Sequence, residues 1–334
     1  MGSTVAVVGA GSWGTTLAAL AADAGHTARI WSRRAEVAAE ISAEHRSPYL
    51  PGVSLPWALR ASTDAGEVLD GADLVLVAVP SHALGAVVAD MADAIAPAAT
   101  VLSVAKAIEQ QTLRRMSEVL TAVLPHVDSG RIGALSGPNL AREIAQRLPA
   151  ATVVSMTDPG AAAACQATFM TPNLRVYTNS DVLGVELCGA AKNTVAIAAG
   201  IVDGLGFGDN ARAALITRGL AEVTRLGMRL GGDPLTFGGL AGAGDLIATC
   251  TSLQSRNRHV GEELAKGRKL DEIIDDLGMV AEGVNSTRAL CDLAGTVDVE
   301  MPIADQVAGV LYDGVNATEA VRRLMGRAPR PEVY

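Results

Sequence analysis

Aromatic residues make up only 3% of the 334 residues, so the chain offers few stacking surfaces for nucleic-acid bases. Basic side chains are not in excess either. Against 27 Lys and Arg stand 36 Asp and Glu, a formal net charge of −9, whereas surfaces that bind nucleic acid concentrate positive charge. Cysteines are few: Cys165, Cys188, Cys250 and Cys291 show neither zinc-finger nor redox-motif spacing. A chain of this length needs no disulfide staples, so four reduced thiols are expected. The histidines at 26, 45, 82, 126 and 259 include no pair at helical ligand spacing, and no metal is expected. Long hydrophobic runs are missing as well. The densest, Leu74 to Val79, has the size of a strand, so no membrane span is expected. No basic, cleavable leader precedes the first motif, which makes a cytoplasmic location the expectation. What remains, 49% apolar and 19% charged residues, excludes a largely disordered chain, and the length fits about two domains.

Up to about residue 180, short aliphatic runs alternate with longer stretches of helical periodicity. The strand-like runs are Thr4–Val8, Ala28–Trp31, Leu74–Val79, Thr100–Val104, Ile132–Leu135 and Thr152–Ser155. Such alternation implies a parallel sheet covered by helices. From about Asp181 it stops. Val182–Ile201, Asn210–Leu230, Arg256–Ala265, Asn285–Leu293, Pro302–Leu311 and Thr318–Met325 read as helices broken by Gly or Pro, with no convincing strand among them. The expected fold is α/β: an N-terminal Rossmann-type, mostly parallel sheet domain over 1–180, then an all-helical C-terminal domain over 181–334. The many small residues of the second part would allow close helix packing.

The sharpest local signal is Gly9-Ala10-Gly11-Ser12-Trp13-Gly14, which follows a strand and opens a helix, the context a dinucleotide loop requires. Gly9 permits the tight turn, Gly11 the approach of a pyrophosphate, and Gly14 close helix–strand packing. Free N–H groups at the helix start would face the anion. The second strand ends in Ser32-Arg33-Arg34, where an NAD-selective site usually carries Asp or Glu. Two arginines suit the additional phosphate of NADP by charge and geometry. NADP(H) is therefore favoured, and NAD(H) stays open.

Hydride transfer to a ketone needs a proton donor whose pKa lies near working pH. Lysines are scarce, and two sit in apolar surroundings. Lys106 follows a strand and would project at the carboxyl end of the sheet; Lys192 lies within a helix of small residues. Desolvation would lower a lysine's pKa into the useful range, although a nearby Asp245 would oppose that shift. Ser255 reads as an N-cap beside Arg256, and a helix start next to a guanidinium is a sound phosphate site. A plain capped helix looks the same.

Together these residues resemble the bacterial NAD(P)-dependent glycerol-3-phosphate dehydrogenases. The likeness runs from the glycine loop through Tyr49-Leu50-Pro51-Gly52, Ser103-Val104-Ala105-Lys106 and Leu135-Ser136-Gly137-Pro138-Asn139. It continues through Glu186–Asn193, Ala241–Leu246, Ser255-Arg256-Asn257 and Val280-Ala281-Glu282-Gly283. The resemblance implies reversible reduction of dihydroxyacetone phosphate to glycerol 3-phosphate, which heads phospholipid synthesis. It makes Lys192 the proton donor or acceptor and brings Lys106 to both substrate and cofactor. Gly137, Asn139, Asp245, Ser255, Arg256 and Asn257 would line the substrate site, and Ser12, Trp13, Arg33, Arg34, Ala141, Arg256, Val280 and Glu282 would contact the cofactor. Many such enzymes dimerise, so a homodimer is an open expectation. Two alternatives remain at this stage. One is another Rossmann-plus-helical NADP dehydrogenase, such as a ketopantoate or hydroxy acid reductase, which would need no phosphate anchor. The other is an NADP-sensing module without turnover, in which both lysines are structural.

Overall fold

Aliphatic and β-branched runs form the strands β1 (Thr4–Val8), β2 (Thr27–Trp31), β3 (Arg60–Ser62), β4 (Leu74–Val77), β5 (Thr100–Ser103), β6 (Ile132–Ser136), β7 (Ala150–Ser155) and β8 (Leu174–Asn179). In this computed structural model, which describes residues 2–278, 281–329 and 331–332, they pair in the order β3-β2-β1-β4-β5-β6-β7-β8. All neighbours run parallel except β6 and β7. Two strands lack a sequence signal. The β3 segment Arg-Ala-Ser carries no hydrophobic pattern, and edge strand β8 buries only alternate residues such as Leu174 and Val176.

The helices of this half are α1 (Ser12–Asp23), α2 (Ala35–Ala43), α3 (Ala65–Leu69), α4 (Ser81–Ala89), α5 (Met116–Val123), α6 (Ala141–Ala145) and α7 (Pro159–Phe169). They cover both faces of the sheet. Val5 and Val7 enter one buried cluster with Leu17 of α1 and Phe169 of α7. Their neighbours Ala6 and Val8 enter another with Leu84 of α4 and Leu120 of α5. This follows from strand geometry, in which successive side chains point to opposite faces.

After β8 every element among the described residues is helical: α8 (Val182–Gly204), α9 (Asp209–Arg229), α10 (Pro234–Gly238), α11 (Asp245–Thr251), α12 (Arg256–Ala265), α13 (Leu270–Leu277), α14 (Glu282–Thr296), α15 (Pro302–Tyr312) and α16 (Ala317–Met325). A π-helical turn, Leu240–Gly244, leads into α11. Asp181 caps α8 by accepting from Gly184 N at 2.8 Å. This helix is long and apolar enough to cross a membrane, contrary to the expectation from hydrophobic runs, but all of its apolar window is buried inside the protein. It is a core helix. Helix α12 lies hard against it because neither partner carries a side chain at the crossing. A Cβ on Gly200 would come 1.8 Å from Arg258 O, and one on Gly261 would come 1.9 Å from Ile197 O.

Candidate active site

Where β1 turns into α1, Gly9 holds φ +118°, and a Cβ there would come 2.6 Å from Ala78 O. A Cβ at Gly14 would come 2.0 Å from Gly9 O. Gly11, the N-cap of α1, is the opposite case: a Cβ there would meet no protein atom within 4 Å. The loop is thus closed on its protein side and open on the side where the first N–H groups of α1, beginning at Ser12, have no helical partner. Beside it the indole N–H of Trp13 is buried and unpartnered. A buried donor of this kind is rare in a finished core and fits a site that takes a ligand. Ala141 opens α6 and lies against α1, accepting from Thr16 Oγ1 at 3.3 Å.

Past the end of β2, Arg33 and Arg34 are exposed. The Arg34 guanidinium lies 5.2 Å from the centre of the Tyr49 ring and bonds its hydroxyl, with Glu36 at 3.6 Å. Glu282, a half-buried residue, starts α14. Val280 lies outside the described residues. The open glycine loop, the orphaned indole and the arginine pair fit a dinucleotide. Among the described residues no group of three or more His, Cys, Asp or Glu could hold a metal ion.

The chemical centre joins the two halves of the chain. Lys106, just beyond β5, donates to Gly137 O at 2.9 Å and to Asp245 Oδ2 at 2.7 Å. Lys192, from the middle of α8, donates to the other carboxylate oxygen at 2.5 Å and to Thr249 Oγ1 at 2.8 Å. One carboxylate, 2% exposed, therefore holds two ammonium groups. Each ammonium has three N–H donors and uses two here, which leaves one apiece for a ligand.

Burial drives the Lys192 pKa down to about 8, Lys106 adds to the fall, and Asp245 pulls against both. Burial alone would raise the Asp245 carboxyl, but the two lysines outweigh it and hold it below its ordinary value. At Lys192 desolvation therefore outweighs the pull of Asp245. Thr249 was missed at the sequence level. Its hydroxyl donates to Asp245 O, one turn back, at 2.7 Å, so a lone pair is left to accept from Lys192. An Asp with Thr four residues on, along one helix, is the signal that could have found it.

At the far end Ser255 caps α12, accepting from Arg258 N at 3.2 Å, while the N–H groups of Arg256 and Asn257 occupy the helix positions that lack internal partners. Arg256 is exposed as a residue, yet desolvation by the surrounding protein lowers its guanidinium pKa, and Glu282 opposes that fall. The Asn257 carboxamide is partly engaged within the protein. It donates to Asn193 Oδ1 at 2.9 Å and accepts from Gly283 N at 3.0 Å, which leaves its second amide N–H and its backbone N–H for a ligand. Asn193 in turn donates to Lys106 O at 3.1 Å, which ties the α12 start to the lysine centre. Asn139 donates to Thr152 Oγ1 at 3.0 Å and keeps its buried carbonyl oxygen unpartnered. A hollow of about 1010 Å³ between α8, α9, α15 and α16 contains none of these residues.

Two family models cover most of the chain. The N-terminal region of NAD-dependent glycerol-3-phosphate dehydrogenase matches residues 4–162, and the C-terminal region matches 181–322. A glycerol-3-phosphate dehydrogenase [NAD(P)+] of Chlorobium limicola is 48% identical over 99% of both chains. One of Corynebacterium jeikeium is 49% identical over 98% of this chain and 99% of the relative. Among solved structures, the glycerol-3-phosphate dehydrogenase of Coxiella burnetii superposes with a TM-score of 0.92 at 38% identity, covering 98% of this chain and 99% of that one. A ketopantoate reductase of Ralstonia eutropha, at 19% identity and a TM-score of 0.51, shares the fold alone. With a dinucleotide loop, a two-lysine centre on one carboxylate and full-length relatives of this identity, the chain belongs to the NAD-dependent glycerol-3-phosphate dehydrogenase family.

Proposed function

We propose that the chain interconverts dihydroxyacetone phosphate and sn-glycerol 3-phosphate, with Lys192 as the proton donor in reduction and the acceptor in oxidation. The observation that carries this reading is the pair of buried ammonium groups on Asp245, each with a donor to spare. NADPH is the favoured cofactor and NADH the alternative; Ser12, Trp13, Arg33, Arg34, Ala141 and Glu282 would hold it. When bound, it supplies or accepts the hydride. Everything else falls to the protein.

Lys192 donates a hydrogen bond to the ketone oxygen and gives up its proton as the alkoxide develops, and a pKa of about 8 makes that transfer easy near neutrality. Lys106 directs a second positive charge at the same oxygen, which favours the charged transition state over the neutral ketone. Asp245 keeps both cations soluble in a dry site, and Thr249 fixes the Lys192 amine in place. The substrate phosphate lies against the α12 start, held by Arg256 and the backbone N–H groups that follow Ser255. In this reading residues 1–180 form the cofactor domain and 181–334 the substrate domain. The enzyme works as a cytoplasmic homodimer at the head of phospholipid synthesis.

Lys192→Met tests the assignment, because it keeps the apolar stem and removes the donor. The expected result is a folded, NADPH-binding protein whose single-turnover oxidation of NADPH with dihydroxyacetone phosphate falls about 100-fold or more. A rate within about threefold of the parent excludes Lys192 as the acid–base group.

A further inference from the structure

Helix α8 carries one buried charge that the proposed reaction does not use. Glu186 lies six residues before Lys192, 4% exposed. Its carboxylate accepts from Ser117 N at 2.8 Å, from Ser117 Oγ and from Arg115 Nη1 at 3.1 Å. All three donors come from the start of α5, in the sheet half of the chain. Arg115 is held in its turn by Glu118, its Nη2 to Oε1 at 2.8 Å and its N–H to Oε2 at 2.8 Å.

The segment between β5 and α5 is closed on itself. Ile108 and Arg115 form an antiparallel bridge, and Glu109 N donates to Arg114 O at 2.9 Å. Lys106 and Arg115 are therefore the two ends of one ordered loop. The loop meets α8 twice, at Glu186 through Arg115 and Ser117, and at Asn193 through Lys106 O. Positions 186 and 193 are two turns apart on one helix face. Between them on that face is Gly189, where a Cβ would come 3.3 Å from Lys106 Cγ and 3.2 Å from Ser136 Oγ. The Lys106 stem thus crosses α8 over a glycine, and a surface of this kind has no projecting side chains to set the position of one element along another.

We propose that Glu186 is a positioning residue that fixes the Lys106 loop against α8, so that Lys106 and Lys192 meet on Asp245. The inference rests on the reading of those lysines given above. Burying a carboxylate away from water is costly, and a well-packed apolar side chain would satisfy stability alone at least as well. What the carboxylate adds is a direction. Its three donors converge from one loop end, so a slide of that loop along α8 breaks all of them together.

The test is Glu186→Gln, which keeps size and removes charge, with single-turnover reduction of dihydroxyacetone phosphate followed across pH. The expected turnover loss is roughly 10- to 100-fold, the scale for a catalytic group displaced by about 1 Å. The second expected change is in the alkaline limb. Lys106 is one of the charges that hold the Lys192 pKa down, with Asp245 opposing it, so a displaced Lys106 moves that limb to higher pH. Loss of stability alone would leave the limb where it is.

In a Lys106→Met background the same substitution should cost less than about threefold and shift nothing further. A folded Glu186→Gln protein with turnover within about threefold and an unmoved limb overturns the proposal, and so do fully additive losses with Lys106→Met. Should Glu186→Gln fail to fold, Ser117→Ala removes a single donor and is expected to move rate and limb in the same directions by less; no change there overturns the proposal too. A Lys106→Met enzyme at the parent rate removes the catalytic reading of Lys106, an outcome distinct from failure of the clamp alone.

Discussion

Replacing Asp245 by Asn leaves two buried ammonium groups facing a neutral amide. The ion pairs it removes are short, 2.5 Å to Lys192 and 2.7 Å to Lys106, in a site where the carboxylate is only 2% exposed. Removing one partner of a buried pair costs about 3–5 kcal/mol when the remaining charge stays put. Here the site can relieve itself by releasing a proton. Lys192 already titrates at about 8 because burial and Lys106 outweigh Asp245. Without the carboxylate its pKa falls below that, so in the variant Lys192 is neutral across the neutral pH range. A neutral Lys192 has no proton to give, and reduction of dihydroxyacetone phosphate near neutrality should fall about 100-fold or more.

The pH behaviour follows with its sign. Reduction by the parent enzyme holds until pH approaches 8 and then declines, whereas the variant's residual rate is highest in acid and declines through neutrality. Stability is linked to the same titration. A lysine whose folded pKa lies below its unfolded value binds fewer protons when folded, so stability rises with pH from the folded pKa upward. That window opens at lower pH in the variant than in the parent. Its stability deficit is therefore largest at mildly acidic pH, above the range in which Asp245 itself takes up a proton, and shrinks as pH rises to about 8. Stopped-flow NADPH oxidation and thermal denaturation, both run across pH, check the two statements. A limb that stays near pH 8, or a deficit that grows with pH above the Asp245 range, would refute the charge balance described here.

Two further outcomes are expected. Arg33→Ala with Arg34→Ala should weaken NADPH by about 10- to 150-fold, the value of one charge-assisted bidentate contact, while NADH changes little; equal losses in binding titrations with the two cofactors would show that the pair does not read the additional phosphate. Arg256→Ala should cripple turnover of dihydroxyacetone phosphate and weaken NADPH somewhat, yet barely touch the poor reaction of unphosphorylated dihydroxyacetone. Steady-state kinetics with both ketones decide it, and unchanged discrimination between them would remove Arg256 from the phosphate site.

The parts of this fold that could be read from sequence are those whose cause is local. The glycine loop is closed by contacts within a few residues of itself or with the adjacent β4 end, and the α12 cap is a Ser bonding three residues on. Strands β1, β4 and β5 are buried on both sides and announce themselves as continuous aliphatic runs. The edge strands β3 and β8 do not, because one is three polar or small residues and the other buries only part of its length. The antiparallel turn from β6 to β7 also left no local trace. Lys106 and Lys192 stood out as rare cations in apolar sequence, but their shared partner Asp245 lies 139 and 53 residues away. Asn257 carries bonds that no local pattern announces. Its carboxamide bonds Asn193 and Gly283, 64 and 26 residues away in the chain.

The charge arithmetic explains why an acidic chain can take an anionic substrate. A net charge of −9 spread over the whole surface is screened beyond about 8 Å at physiological salt. At the lysine centre the count is local: two ammonium groups against one carboxylate leave a surplus of one positive charge, while Arg256 toward the α12 start is balanced in part by Glu282. A second carboxylate at the centre would cancel that surplus and weaken the hold on a developing alkoxide. With none, the lysines could not both stay protonated in a buried site, since two like charges about 4 Å apart repel by roughly 4 kcal/mol even at an effective dielectric of about 20. One Asp between two Lys is the composition that keeps a proton on Lys192 at neutral pH and still lets it leave at about 8.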